Sequence, residues 1–132
     1  MTDSSVRAEG DRPVVMLVEE EEQLVYLLQR YVEKSGCRFV SARSEEAFEL
    51  ARCERPAVIL VDVVEVETGG RDVLRALKAD PETQAIPVVM CSGWDEGLAF
   101  WAGLGAHDYL QKPVSYGRFV AMLKNAGVKL RE

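Results

Sequence analysis

The chain has 132 residues, of which 48% are apolar and 29% charged, as in one ordinary globular domain. Its net charge of −6 argues against a basic nucleic-acid-binding surface. No apolar stretch reaches the roughly 20 residues of a membrane-spanning helix. Residues 1–13 lack the apolar centre of a signal peptide, so we expect a flexible leader, a domain over 14–128, a tail over 129–132 and a cytoplasmic location.

The first part of the chain predicts a strand, a helix and a second strand. Val14–Val18 is a continuous apolar run, typical of a strand that is buried on both faces. Apolar residues at helical spacing over 24–32 predict a helix that ends near Gly36. Residues 37–42 form a less apolar second strand, expected near a sheet edge. Ser44 is then predicted to cap a helix that extends to about residue 54.

The middle of the chain repeats this alternation. Residues 57–62 predict a third strand, and Gly69 and Gly70 interrupt the loop that follows. A third helix is expected to end at the Asp80-Pro81 pair. Its apolar positions are Val73, Leu74 and Leu77.

The last part predicts two more strands and two more helices. Ile86-Pro87 opens the fourth strand, and Asp95 can cap a helix that reaches about residue 104, before Gly105. Residues 107–111 form the fifth strand, and Ser115 can cap the final helix. The apolar positions of that helix are Phe119, Val120, Leu123 and Ala126.

Strands that alternate with helices throughout predict an α/β fold with a parallel sheet. Right-handed crossovers leave few topologies for five such units. We therefore expect a doubly wound five-stranded parallel sheet of order 2-1-3-4-5, the flavodoxin-like (βα)5 arrangement. The three cysteines form no CxxC pair, so buried reduced thiols are expected and a structural zinc site is not.

Reactive side chains follow four of the predicted strands, at the point where each strand ends. Glu19 and Glu20 follow the first strand, Asp62 ends the third, Ser92 ends the fourth, and Lys112 follows the fifth. In an open parallel sheet, ligands bind outside the carboxyl ends of the strands. These groups are therefore predicted to converge around Asp62, which lies on the central strand.

The three carboxylates predict a divalent metal, because acids packed together repel one another unless cations lie between them. Mg²⁺ prefers carboxylates, carbonyls, waters and phosphate oxygens. The predicted ligands are Glu19, Glu20, Asp62 and the backbone carbonyl of Val64.

The remaining groups suit phosphoryl transfer to Asp62. Lys112 can neutralise a phosphoryl oxygen as a point charge, and Ser92 can donate a hydrogen bond to another. Such transfer needs little beyond placement and charge neutralisation, and aspartyl phosphates are established covalent intermediates.

Four motifs carry a resemblance that runs from about Val14 to Val128, nearly the whole chain. They are VMLVEEEE, VILVDVVEVETGG, IPVVMCSG and GAHDYLQKP. With them the chain resembles the receiver domain of bacterial two-component response regulators. The resemblance implies a signalling switch rather than an enzyme. It also implies a phosphorelay in which a histidine kinase or a phosphotransfer protein supplies the phosphoryl group.

The resemblance implies a role for each matching position. Asp62 matches the phosphoacceptor, and Glu19 and Glu20 stand where the family has its acidic metal-binding pair. The other matches are Ser92 as the switch hydroxyl, Gly93 as the small residue beside it, Lys112 as the motif lysine and Tyr109 as the switch aromatic. The expected output is a changed surface on the fourth helix, fifth strand and fifth helix. That surface would bind a downstream effector, an output domain or a second copy of the chain, with no direct contact to nucleic acid or membrane.

Several positions depart from the family pattern. The acidic pair is Glu-Glu, where Asp-Asp or Glu-Asp is usual, and it can also be aligned one residue later, at Glu20 and Glu21. Val66 stands where a proline is common. Trp94 is large for its place, and we expect it to shield an acyl phosphate from water.

Two alternatives remain open. The Glu-Glu pair is compatible with a pseudo-receiver, which would use the fold as a phosphorylation-independent docking module. A flavodoxin-like small-molecule enzyme has only the fold in its favour, since a fold does not fix a function.

Overall fold

The protein is built around a parallel five-stranded sheet. The computed structural model describes residues 12–19, 21–63, 70–93 and 97–130. The strands are β1 (Val14–Val18), β2 (Arg38–Ala42), β3 (Val58–Val63), β4 (Val88–Ser92) and β5 (Asp108–Gln111). They pair in parallel in the order β2-β1-β3-β4-β5. The predicted fold class and strand order are thus confirmed, with β3 at the centre and β2 at an edge.

A helix follows each strand within the described ranges. These are α1 (Glu22–Lys34), α2 (Ala47–Glu54), α3 (Gly70–Ala79), α4 (Gly97–Ala102) and α5 (Tyr116–Asn125). Of the helices in this part of the chain, none is long and apolar enough to cross a membrane.

The sheet is buried on both faces, which explains why its strands are continuously apolar. Alternate residues of each strand point to opposite faces. Val15 and Leu17 of β1 therefore pack in one core, beneath α1 and α5, while Met16 and Val18 pack in the other, beneath α2, α3 and α4. Trp101 of α4 is fully buried in the second core.

Several helix ends follow their sequence signals. Gly36 after α1 and Gly105 after α4 adopt positive φ angles of 86° and 105°, which glycine permits without a Cβ clash. The Ser115 side chain accepts a hydrogen bond from the backbone N–H of Arg118 at 3.2 Å, so the predicted cap of α5 is confirmed. α4 is shorter than predicted, and its expected cap, Asp95, lies outside the described residues.

Two sequence expectations are wrong. Ser44 does not cap α2, because Ser44–Glu46 forms a 3₁₀ turn and α2 begins only at Ala47. Glu46 accepts a hydrogen bond from the backbone N–H of Arg43 at 3.0 Å, which tightens this entry. The three cysteines are also not all buried, since Cys53 is exposed on α2 while the other two are buried.

Candidate functional site

The parallel register brings the ends of β1, β3 and β4 together. Val18 pairs with Val61, so Glu19 and Asp62 occupy the next positions on adjacent strands. On the other side of β3, Asp62 pairs with Cys91 of β4, and the next residue of β3, Val63, pairs with Ser92. The backbone N–H of Lys112 donates to the Ser92 carbonyl at 2.9 Å, which ties the end of β5 to this edge.

The Asp62 carboxylate is buried and contacts a cation. Its side chain is only 1% exposed, and the Lys112 ammonium forms an ion pair with Asp62 Oδ1. The Lys112 side chain is 25% exposed, so its stem spans the distance from the protein surface to the buried acid. A buried carboxylate without a counter-charge would be costly, and Lys112 supplies that charge. The predicted approach of Lys112 to Asp62 is therefore present in the structure.

Glu19 lies beside Asp62, and its two carboxylate oxygens have different surroundings. Oε2 accepts a hydrogen bond from the backbone N–H of Glu21 at 2.6 Å, at the start of α1. Oε1 is buried and faces no hydrogen-bond donor among the described residues. The pKa of Glu19 is raised to about 8, first by burial, then by the hydrogen bond that the protonated Glu19 carboxyl donates to Asp62, and further by charge repulsion from Asp62.

The arrangement of Glu19 and Asp62 fits a divalent cation. When both groups are ionised, Glu19 Oε1 and Asp62 Oδ2 have no hydrogen-bond donor in the described part of the chain, while Asp62 Oδ1 contacts the Lys112 ammonium. Buried oxygens of this kind are the ligands that Mg²⁺ prefers. No group of three or more His, Cys, Asp or Glu side chains that could hold a metal ion occurs among the described residues. The other two predicted ligands, Glu20 and Val64, lie outside the described residues.

Ser92 is placed where the sequence predicts it. It is the last residue of β4 and is fully buried, on the strand next to that of Asp62. The space beside Gly93 is open, because a Cβ added there would meet no heavy atom of the described residues within 4 Å. The two neighbouring positions with predicted special roles, Trp94 and Val66, lie outside the described residues.

Tyr109 lies on β5 and is half-buried. Its side chain packs against the core beneath α2, α3 and α4, which includes Met90, Trp101 and Ala106. The predicted switch aromatic therefore contacts the core that also holds α4 in place.

Cys91 was not predicted as a neighbour of the site. It pairs with Asp62 across β3 and β4 and is 1% exposed. Burial raises the pKa of the Cys91 thiol, and the nearby Asp62 carboxylate raises it further, so the thiol stays protonated. Only the strand register places this residue beside Asp62, and the sequence contains no motif that would signal it.

Comparison with known proteins gives a consistent family assignment. The family model described as "Response regulator receiver domain" matches residues 15–124. The polar-differentiation response regulator DivK of Brucella anthropi is 35% identical over 116 residues, covering 84% of this chain and 93% of DivK. DivK of Brucella ovis matches with the same identity and coverage.

Solved structures share the fold. The chemotaxis protein CheY4 of Vibrio cholerae superposes with a TM-score of 0.78 at 19% identity, covering 87% of this chain and 98% of CheY4. The signal receiver domain of a signal transduction histidine kinase from Syntrophus aciditrophicus superposes with a TM-score of 0.76 at 26% identity. That match covers 91% of this chain and 95% of the other.

Proposed function

The chain belongs to the response regulator receiver domain family, and from this premise we propose that Asp62 accepts a phosphoryl group from a phosphohistidine. The donor would be a histidine kinase or a phosphotransfer protein, in a cytoplasmic phosphorelay. One observation carries the proposal: the buried Asp62 carboxylate lies between the Lys112 ammonium and the Glu19 carboxyl. The family match over residues 15–124 also supports a receiver domain that spans 14–128.

Phosphoryl transfer requires the protein mainly to position the reacting groups and to balance their charge. An oxygen of Asp62 attacks phosphorus while the bond from phosphorus to the donor imidazole nitrogen breaks. The electron pair of that bond stays on the imidazole, which takes up a proton from solvent. Lys112 neutralises one phosphoryl oxygen, and the Ser92 hydroxyl donates a hydrogen bond to another.

A divalent cation completes the charge balance of the site. Glu19, Asp62, Glu20 and the carbonyl of Val64 would hold Mg²⁺, which supplies positive charge to the phosphoryl oxygens when bound. The oxygens of Glu19 and Asp62 that lack donors support this role.

Phosphorylation would act by favouring one of two conformations. The modified Asp62 carries about two negative charges, and these draw in Lys112 and Ser92. Tyr109 would then reorient, which changes the surface formed by α4, β5 and α5. A downstream effector, an output domain or a second copy of the chain would bind that surface, because a ligand shifts an equilibrium only through its preference for one state.

Incubation with Mg²⁺ and acetyl phosphate tests this function. The intact mass should increase by one phosphoryl group, and Asp62→Asn should abolish that increase. Asp72→Asn is the matched control, because Asp72 is an exposed acid in the first turn of α3 and should not alter the increase. The proposal fails if the wild-type protein gains no phosphoryl mass from acetyl phosphate or from a phosphohistidine donor.

The second candidate is a pseudo-receiver that docks to a partner without phosphorylation. Glu19 supports it, because one oxygen of its carboxylate is held by the Glu21 N–H at 2.6 Å and its pKa is raised to about 8. At neutral pH a proton could then occupy the place of the metal. A Mg²⁺ titration followed by Trp94 fluorescence separates the candidates. A saturable response favours the phosphorylated switch, and no response well above millimolar Mg²⁺ favours the pseudo-receiver.

A further inference from the structure

Helix α1 holds the loop that follows β5 through one hydrogen bond. The hydroxyl of Tyr31 donates to the backbone carbonyl of Val114 at 2.9 Å, across 83 positions of sequence. Val114 is only 6% exposed and packs in the core beneath α1 and α5. A buried carbonyl needs a donor, and Tyr31 supplies it from a neighbouring helix.

The Tyr31 ring is itself fixed in place. Its centroid lies 5.3 Å from that of Tyr116 and 5.5 Å from that of Phe119, both on α5. The Lys34 ammonium lies 4.5 Å from the centroid of the Tyr116 ring. Aromatic contacts of this kind restrict the ring, so the Tyr31 hydroxyl is presented to Val114 from a defined position.

The segment 112–114 is anchored at both ends and carries the site cation. At one end the backbone N–H of Lys112 donates to the Ser92 carbonyl at 2.9 Å. At the other end Val114 accepts from Tyr31. The Lys112 ammonium between them contacts the buried Asp62 carboxylate. A lysine side chain is long and flexible, so its contact with Asp62 depends on where the backbone of this segment lies.

We propose that Tyr31 is a positioning residue, which sets the Lys112 ammonium against Asp62 by fixing the backbone at Val114. This inference rests on the proposed function, because it assigns a role to Tyr31 in the same phosphoryl-transfer site. Loss of the hydroxyl takes this donor from the part-buried Val114 carbonyl, and the segment is then free to move. A displacement of even about 1 Å at a reacting group can change a rate substantially.

The first test uses the unphosphorylated protein and needs no phosphodonor. Tyr31→Phe and Lys112→Ala are combined in a double-mutant cycle, and the unfolding equilibrium constant is measured in urea without metal. Lys112→Ala should raise that constant by some factor in each background. We expect this factor to be about 2- to 10-fold smaller in the Tyr31→Phe background than in the wild-type background. A purely structural hydroxyl would give the same factor in both backgrounds, and that result overturns the proposal. Tyr31→Phe keeps the ring contacts, so the variant should fold.

Tyr26→Phe is the matched control. It also removes one tyrosine hydroxyl from α1, but the Tyr26 hydroxyl contacts the Arg30 guanidinium at 3.1 Å on the exposed face. It should therefore show no coupling to Lys112→Ala, and a coupling equal to that of Tyr31→Phe would also overturn the proposal.

The second test measures the rate of phosphorylation by acetyl phosphate at saturating Mg²⁺. Tyr31→Phe should lower that rate about 3- to 10-fold, while Tyr26→Phe should leave it unchanged. An unchanged rate in Tyr31→Phe refutes the positioning role alone. A wild-type protein that gains no phosphoryl mass refutes the proposed function, and the unfolding cycle still decides the role of Tyr31.

Discussion

Replacing Lys112 with alanine should destabilise the metal-free protein far more than replacing Asp62 with asparagine. Lys112→Ala leaves a carboxylate that is 1% exposed beside Glu19 and that has lost the ammonium with which it pairs. Asp62→Asn removes the buried charge instead. The Lys112 ammonium is then without its partner, but its side chain is 25% exposed and can reach water.

The magnitude follows from the cost of leaving one buried charge unpaired. Removing one partner of a buried ion pair costs about 3–5 kcal/mol. Lys112→Ala should therefore cost about 3–5 kcal/mol at pH 7. Asp62→Asn should cost less than about 1 kcal/mol or be stabilising.

Urea unfolding at pH 7 in the presence of a chelator measures the stability of both variants. The double variant Lys112→Ala with Asp62→Asn is the control, and it should recover most of the stability lost at pH 7. A cost for Lys112→Ala that is below about 1 kcal/mol would refute the view that this ammonium balances a buried carboxylate.

Three further predictions concern Glu19, Trp101 and Ser115. Burial and Asp62 raise the pKa of Glu19 from 4.5 to about 8, so the folded state binds more protons than the unfolded state between those values. Metal-free stability in urea should therefore fall as the pH rises through that range, and Glu19→Gln should flatten the slope. The indole N–H of Trp101 is buried without an acceptor among the described residues, so Trp101→Phe should cost less than about 1.5 kcal/mol by thermal unfolding, against about 3–5 kcal/mol for Trp101→Ala. Ser115→Ala should lower the free energy of unfolding by about 1 kcal/mol, while Ser115→Asp should retain the cap of α5.

The sheet and the positions of its reactive side chains could be predicted because both depend on local pattern. A strand buried on two faces must be continuously apolar, so the run that ends at Asp62 is visible in the sequence. Chain connectivity and handedness then fix the strand order, and the strand order brings Glu19 and Ser92 to the neighbouring strands. These inferences need only the type and order of the elements.

Other features depend on distances between atoms that no local pattern encodes. The bend of Glu19 towards the Glu21 N–H follows from the extra methylene of glutamate and the path of the chain into α1. The contact between Tyr31 and Val114 joins residues far apart in sequence and depends on how α1 packs against α5. The predicted cap at Ser44 failed because a 3₁₀ turn and a cap are built from the same residue types.

Chemical trapping of the phosphorylated protein identifies which carboxylate accepts the phosphoryl group, and Asp62 is the proposed acceptor. The protein is phosphorylated with a phosphohistidine donor and Mg²⁺, reduced with borohydride, and digested for tandem mass spectrometry. Reduction converts an aspartyl phosphate to homoserine, so homoserine is expected at position 62. Homoserine at another aspartate, or an unmodified Asp62 after transfer has occurred, would contradict that assignment of the acceptor.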